Sequence, residues 1–313
     1  MITRRKSLKL FGTASAAACL PLSACTTATT DKKSSFTYCL NTSTIRGQEL
    51  GLVKMIEIAA EAGYNAIELW LRDIQSYLDE GNTLTELRNI IDSNSLTVEN
   101  AIAFGAWIVD DPDQRGEGLL QMEKDMNTMA KLGCKRIAAP PSGFSGSDLD
   151  YQKAGERYRE VIELGRKTGV MPQLEFWGPS PVLHHLGQAL YIAAAADDPD
   201  VRILADAYHL YRGGSGFNGL KMMNGNILEI FHMNDYPGTI PRVELDDSDR
   251  VYPGDGIAPM KDILTDLSNM GGVKVLSLEL FNQSYWEQGA LEVASTGLQK
   301  MKNLVQSLSQ AQA

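Results

Sequence analysis

From residue 36 to residue 308, short apolar and β-branched runs alternate with longer stretches of helical periodicity. FTYCL (36–40), NAIELW (65–70), LTVENAIAF (96–104) and KRIAAP (135–140) read as strands. So do MPQLEF (171–176), VRILAD (201–206), ILEIFH (227–232) and VKVLSLEL (273–280). Between them the pattern predicts helices over 48–62, 83–93, 114–133, 150–168, 181–195, 216–223, 258–269 and 287–308. In the third of these, Leu119, Met122, Met126 and Met129 keep helical spacing, which marks the buried face. Eight strand–helix units in series imply a parallel sheet. Their number, over about 275 residues, predicts an α/β fold of the (β/α)₈ TIM barrel type, one domain over 36–310. An open doubly wound sheet also alternates, but its first turn normally carries G-x-G-x-x-G, whereas NTSTIRG here holds one glycine.

Composition changes the picture mainly by exclusion. An apolar fraction of 43% with 22% charged residues suits a globular protein with a sizeable core. A net charge of −10 argues against a nucleic-acid partner and against electrostatic adhesion to an anionic membrane. No apolar run of about 20 residues occurs, so no membrane span is predicted. Residues 1–25 stand apart from the barrel pattern. Arg4-Arg5-Lys6 followed by LFGTASAAACLPLSAC resembles a twin-arginine export signal, although Ser7 stands where such signals usually carry Phe. Leu22-Ser23-Ala24-Cys25 looks like a lipoprotein box with Cys25 as the lipidated residue; AAAC ending at Cys19 is a poorer one. Residues 26–35 read as a polar, flexible tether. The expectation is an exported, periplasmic or membrane-anchored lipoprotein. Loss of the four basic residues of the signal would take the net charge to about −14. Cys39 and Cys134 are expected at opposite ends of the barrel and unpaired.

Candidate chemistry follows from where TIM barrels keep it, on the loops after the carboxyl ends of the strands. Those ends carry Glu68, Asn100, Pro140, Glu175, Asp206 with His209, His232 and Glu279. The last four strands thus deliver Glu175, Asp206, His232 and Glu279, one ligand-type residue each. Glu175 and Glu279 sit among apolar neighbours in QLEFW and SLELF, where an unpaired carboxylate costs several kcal/mol to bury. A cation between them removes that cost. Three carboxylates and an imidazole suit one divalent ion, Mn²⁺ first, with Mg²⁺, Co²⁺ or Zn²⁺ as competitors. Trp70, Trp107, Trp177 and Trp286 fall in rim loops and suggest a stacking pocket for a sugar ring. Glu68 and Arg46, on the same rim, are candidates for binding hydroxyls. His184 and His185 read as structural.

The set Glu175, Asp206-x-x-His209, His232 and Glu279, with DRVYPGDG before the last unit, resembles the sugar phosphate isomerase/epimerase-like barrels of the xylose-isomerase-like superfamily. The resemblance covers essentially all of 36–310. It implies that Glu175, Glu279, Asp206 and His232 hold the metal and that the two glutamates are also the acid/base pair. It further implies that His209 contacts substrate oxygens, as does an arginine of the loop after His232. Arg242 and Arg250 both lie in that loop, and spacing does not decide between them. The trinuclear zinc site of the DNA-repair endonucleases in the same superfamily cannot be built, since no histidine precedes residue 184.

The resulting expectation is a divalent-metal-dependent sugar isomerase or epimerase. It would abstract a proton next to a ketone and pass through an enediolate stabilised by the metal, with Glu175 and Glu279 as the couple. Arg212-Gly213-Gly214 could cradle a phosphate, but an exported enzyme more plausibly meets free or oxidised sugars. The alternatives are a 3-keto-glycoside lyase on the same site and a non-enzymatic sugar-binding lipoprotein. Expected partners are a small-molecule sugar and, through Cys25 alone, a membrane. A homo-oligomer stays open.

Overall fold

The structure is a computed structural model that describes residues 35–310. The expected signal segment with Cys25, and all but the last residue of the tether, lie outside the described residues. Eight parallel strands, β1 (Ser35–Asn41), β2 (Ala66–Trp70), β3 (Thr97–Ile102), β4 (Arg136–Ala139), β5 (Met171–Glu175), β6 (Ile203–Asp206), β7 (Ile230–Met233) and β8 (Val273–Leu278), hydrogen-bond in the order β3-β2-β1-β8-β7-β6-β5-β4. β3 and β4 lie side by side and close the ring without a ladder between them. This is the TIM barrel expected from the alternating pattern.

The helices are α1 (Leu52–Ala62), α2 (Leu71–Asp79), α3 (Leu84–Ser93), α4 (Pro112–Lys131), α5 (Tyr151–Thr168), α6 (Leu186–Ala196), α7 (Ala207–Arg212), α8 (Met260–Asn269), α9 (Gln283–Trp286) and α10 (Ala290–Gln310). Local chemistry sets their starts. Asp111 with Pro112 opens α4, Asp150 caps α5, and Thr83 with Glu86 forms a capping box on α3. Met122, Met126 and Met129 are fully buried, as their spacing predicts. Three helices depart from the sequence reading. The helix predicted from residue 48 begins at Leu52, because Glu49 and Gly51 take positive φ and break the run. The predicted 181–195 helix begins at Leu186, with His185 as its cap: the imidazole Nδ1 accepts the Gly187 N–H at 2.9 Å. The predicted 216–223 helix is a 3₁₀ turn over Asn218–Met222.

The strand period of two separates a plug from a site. Cys39, Ala66, Leu204, Ile230 and Val275 point inward and pack as one apolar layer across the barrel. Two residues further along the same strands come Asn41, Glu68, Asp206, His232 and Ser277, all buried and all polar. The layer below is dry; the layer above is where the chemistry lies. Cys39 and Cys134 are buried free thiols.

A buried carboxylate on α4 lies outside this arrangement. Asp125, on α4, is nearly buried with Gln121 as its hydrogen-bond donor at 2.7 Å. Burial pushes its pKa up to about 6, against a weaker pull from Gln121 and Lys124. A raised carboxylate pKa means that stability falls as pH climbs from about 4 through 6, since the unfolded chain ionises first. Asp125→Asn is therefore expected to stabilise the fold at pH 7 by about 1–2 kcal/mol, allowing for solvent screening. The gain should vanish near pH 4, as read by urea unfolding at both values; an equal gain at both would refute the electrostatic cause.

Candidate active site

Strand register assembles the site. Asn41 stands beside Glu68, and Glu68 beside Asn100; Asp206 stands beside His232, and His232 beside Ser277. Glu279 follows β8 two residues after Ser277, on the same face.

Asp206 does two jobs at once. It ends β6 and caps α7, its Oδ1 accepting the His209 backbone N–H at 2.8 Å. The Asp-x-x-His spacing is thus the spacing from a helix cap to its third residue. Its Oδ2 accepts from Asn234 Nδ2 at 2.8 Å and Arg250 Nη1 at 3.0 Å. The same Nη1 donates to Glu279 Oε2 at 2.8 Å, while Asn41 Nδ2 donates to Glu279 Oε1 at 3.0 Å. Burial pushes the Glu279 carboxyl up, but the His232 and Arg250 charges outweigh it and hold it below the usual range.

His232 sits between carboxylates. Its Nε2 lies 3.0 Å from Glu68 Oε1. Its Nδ1 lies 3.1 Å from Glu279 Oε2 and 3.7 Å from Asp206 Oδ2, yet makes no hydrogen bond although buried. Ligand atoms of Asp206, His232 and Glu279 come within 4.8 Å of one another. An orphaned imidazole nitrogen facing two carboxylates, with the other nitrogen turned to a third carboxylate, fits a divalent cation held through Nδ1. Without an ion, burial lowers the His232 pKa but Glu279 and Glu68 raise it well above the ordinary value.

Glu68 was expected to bind substrate hydroxyls. It instead lies among the buried residues behind His232, fully buried and off the cavity wall. Asn41 Nδ2 and Ser277 Oγ donate to its Oε2 at 2.9 and 2.6 Å, and Asn100 Nδ2 to its Oε1 at 2.7 Å. Burial raises its pKa, but His232 and these donors overcome that and keep it ionised. Its place is to orient and polarise His232. Glu68→Gln, which keeps the shape and removes the charge, is expected to weaken Mn²⁺ affinity about 10–100-fold. Titration calorimetry reads this directly; unchanged affinity would remove Glu68 from the site.

A cavity of about 430 Å³ opens above the triad, lined among others by Glu175, His209, Asp247, Arg250 and Glu279. Glu175, expected as the fourth ligand, stands outside the cluster of three and faces this cavity without a protein hydrogen bond. Burial pushes its pKa up to about 8; His232 pulls it down, while Glu279, Asp206 and Glu68 add to the rise. His209 is buried beside it. The Gly178 N–H donates to His209 Nδ1 at 3.1 Å, and Arg250 Nη2 lies 3.3 Å from His209 Nε2. A Cβ on Gly178 would sit 2.6 Å from the Arg212 Cβ, so only glycine brings that N–H so close. Burial, aided by Arg250, lowers the His209 pKa against the pull of Asp206. The ring is therefore neutral at pH 7.

Of the two arginines left open by spacing, Arg250 is at the site and Arg242 is not. Arg250 is 1% exposed, lies over the Tyr208 ring and pairs with Asp206, Glu279 and Asp247. Arg242 donates to the Arg212 carbonyl at 2.6 Å, away from the cavity. Gly213 packs against the His184 carbonyl, so Arg212-Gly213-Gly214 is a structural turn, with Arg212 Nε donating to the Leu245 carbonyl.

The aromatic expectation is half met. Trp70 and Trp177 line the cavity. Trp107 is buried against Tyr158 and donates to the Pro140 carbonyl at 2.9 Å, while Trp286 covers Gly47 and donates to the Ser43 carbonyl. Phe104 and Phe281 take their places at the cavity. Arg46 stacks on Trp70 at 4.0 Å and is not part of the cavity wall. Sequence reasoning also missed Asn41 and Asn234, which donate to the Glu279 and Asp206 carboxylates. Both end or follow strands just where ligands were sought, but an amide carries no charge to draw notice.

Comparison with known proteins gives a consistent result. The sequence model described as xylose isomerase-like TIM barrel matches residues 56–304. Inosose isomerase of Halalkalibacterium halodurans is 28% identical over 254 residues, covering 78% of this chain and 88% of that protein. Inosose isomerase of Bacillus velezensis is 27% identical over 276 residues, covering 85% and 96%. Among solved structures, that of the IolI protein with a bound zinc atom superposes with a TM-score of 0.79 at 24% identity, over 87% of this chain and 99% of that one.

Proposed function

Since the chain belongs to the xylose isomerase-like TIM barrel family, we propose that it is a divalent-metal-dependent sugar isomerase or epimerase that moves a proton next to a ketone through an enediolate. The observation that carries the reading is the pair of carboxylates with opposite electrostatic settings at one cavity. Glu175 has a pKa of about 8 and Glu279 is held below its usual range. Such a split is how a site assigns one carboxyl to deliver a proton and another to accept one. The inosose isomerase relatives favour a cyclic or open-chain polyol ketone as substrate.

Asp206, His232 and Glu279 would hold the ion, and Glu175, the expected fourth ligand, stands outside that cluster and is assigned here as the acid. Mn²⁺ is our first choice and Mg²⁺, Co²⁺ or Zn²⁺ its competitors. When bound, it supplies Lewis-acid polarisation of the substrate carbonyl. Glu279 arrives ionised and takes the carbon-bound proton. Glu175 arrives protonated and delivers a proton to the opposite face for epimerisation, or to the adjacent carbon for isomerisation. His209, at the cavity wall, contacts a substrate oxygen. Arg250 pairs with Asp206 and helps hold Glu279 ionised. The export signal read in the sequence, with a lipid at Cys25, would place this chemistry on free or oxidised sugars outside the cytoplasm.

The test is solvent deuterium incorporation by the Mn²⁺-loaded protein on a panel of ketoses, inososes and keto-sugars, read by NMR. Exchange at a carbon beside the carbonyl is expected, and the labelled position separates epimerase from isomerase. No exchange on any member, with metal demonstrably bound, defeats the proposal.

A further inference from the structure

The acid/base residues account for only part of the cavity wall. Much of the remainder is a continuous aromatic arc. Phe281, Trp70, Phe104 and Trp177 follow one another with ring centroids 6.0, 5.6 and 6.1 Å apart. They come from the ends of β8, β2, β3 and β5, so four separate strands converge on one surface. Trp70 at its centre is fixed. Its indole N–H donates to Asn41 Oδ1 at 2.8 Å, and the guanidinium groups of Arg46 and Arg72 lie over its ring at 4.0 and 4.7 Å. A wall held this way is organised before any ligand arrives, which lowers the entropic cost of binding.

Phe104 is 46% exposed although it is among the most apolar residues of the chain. A large exposed ring in contact with two other rings at the wall of a cavity marks a ligand surface. The cavity volume of about 430 Å³ lies in the range that takes ligands of several fused or linked rings.

Charge narrows the occupant. Arg250 is the one cation that lines the cavity among the described residues, and Asp206, Glu279 and Asp247 already engage it. The remaining ionisable lining is acidic or a neutral histidine. A phosphate or carboxylate substituent would meet aromatic faces and the partly exposed Asp247, with no free counter-charge.

We infer that the arc is a second subsite, which seats an uncharged ring with an apolar face joined through a glycosidic bond to the sugar at the acid/base residues. This rests on the reading of the polar end as a sugar site. The shared chemistry is a flat apolar ring face, presented either by an arene or by a second sugar.

The probes are methyl β-glucoside, phenyl β-glucoside, the disaccharide cellobiose and glucose 6-phosphate. Each is titrated against the Mn²⁺-loaded protein with tryptophan fluorescence and calorimetry as readouts. Phenyl glucoside, cellobiose or both should bind about ten-fold tighter than methyl glucoside, and whichever does identifies the ring. Phe104→Ala, at an exposed position, should remove most of that gain; Phe104→Tyr should keep it. Equal affinity for all neutral probes, a gain that survives Phe104→Ala, no binding by any neutral probe, or tightest binding of glucose 6-phosphate overturns the inference. Binding is read without turnover. Failure of the deuterium-exchange test would thus leave this result standing, and the reverse also holds.

Discussion

Glu175→Gln is expected to lower turnover by about 10²–10⁴-fold while leaving the fold and the Asp206–His232–Glu279 cluster in place. The substitution keeps the volume and removes the transferable proton. In the metal-free chain that proton is present at neutral pH, because burial lifts the pKa to about 8 against the pull of His232. No protein donor satisfies the carboxyl, so the folded chain loses little when it becomes an amide. Glu279 is different. Asn41 and Arg250 each donate to one of its oxygens, and it is ionised. Glu175→Gln should therefore retain slow exchange of the substrate proton with solvent, while inversion or carbonyl transfer is lost. Glu279→Gln should lose both. Mass spectrometry of recovered substrate in D₂O separates the two signatures. Wild-type turnover in Glu175→Gln would sink the assignment, and exchange lost first in that variant would reverse the roles.

The fold was legible because a parallel barrel repeats one signal eight times. An apolar strand followed by an amphipathic helix is hard to misread when each copy reinforces the next. What escaped was local. The α2 helix starts at Leu71 with no linker after Trp70, so the strand pattern ran into the helical one. The six-residue α7 looked like a loop because Tyr208, Tyr211, Gly213 and Gly214 carry no periodicity of use at that length. Charge at an apolar strand end picked out Asp206, His232 and Glu279, which the structure gathers within 4.8 Å, and Glu175, which stands outside that cluster. The site was not legible one layer down. Glu68 has the same sequence context as a ligand, and only the register with Asn41 and Asn100 shows that its oxygens are spent on protein donors. Nor can a sequence tell which tryptophan of a rim loop turns inward, and here Trp107 and Trp286 turned away while Phe104 and Phe281 faced the cavity.

Arg250→Met is expected to cost the metal-free protein about 3–5 kcal/mol of stability, the range for removing one partner of a buried ion pair. Asp206 and Glu279 are both buried, and one guanidinium nitrogen serves them both. Methionine preserves much of the packing between Tyr208 and Phe281, where the guanidinium now lies 4.5 and 5.0 Å from the two rings. The loss is therefore mainly electrostatic. His232 would then be the one cationic group facing the two carboxylates among the described residues, and the Glu279 pKa would rise in the folded state. A carboxylate pKa raised by folding penalises stability as pH increases, so the deficit should be largest at pH 7 and shrink toward pH 4. On the proposed function, divalent metal offers a second route to relief, because it would bind the same carboxylates in the folded chain and stabilise by mass action. Urea unfolding with EDTA, and again with saturating Mn²⁺, should show the deficit narrowed by the ion. A variant as stable as wild type in EDTA would mean that Arg250 is not the counter-charge of the site. A deficit indifferent to both pH and metal would assign it to packing. The outcome expected here, sensitive to both, ties the arginine that spacing alone could not choose to the two carboxylates on which the proposed chemistry depends.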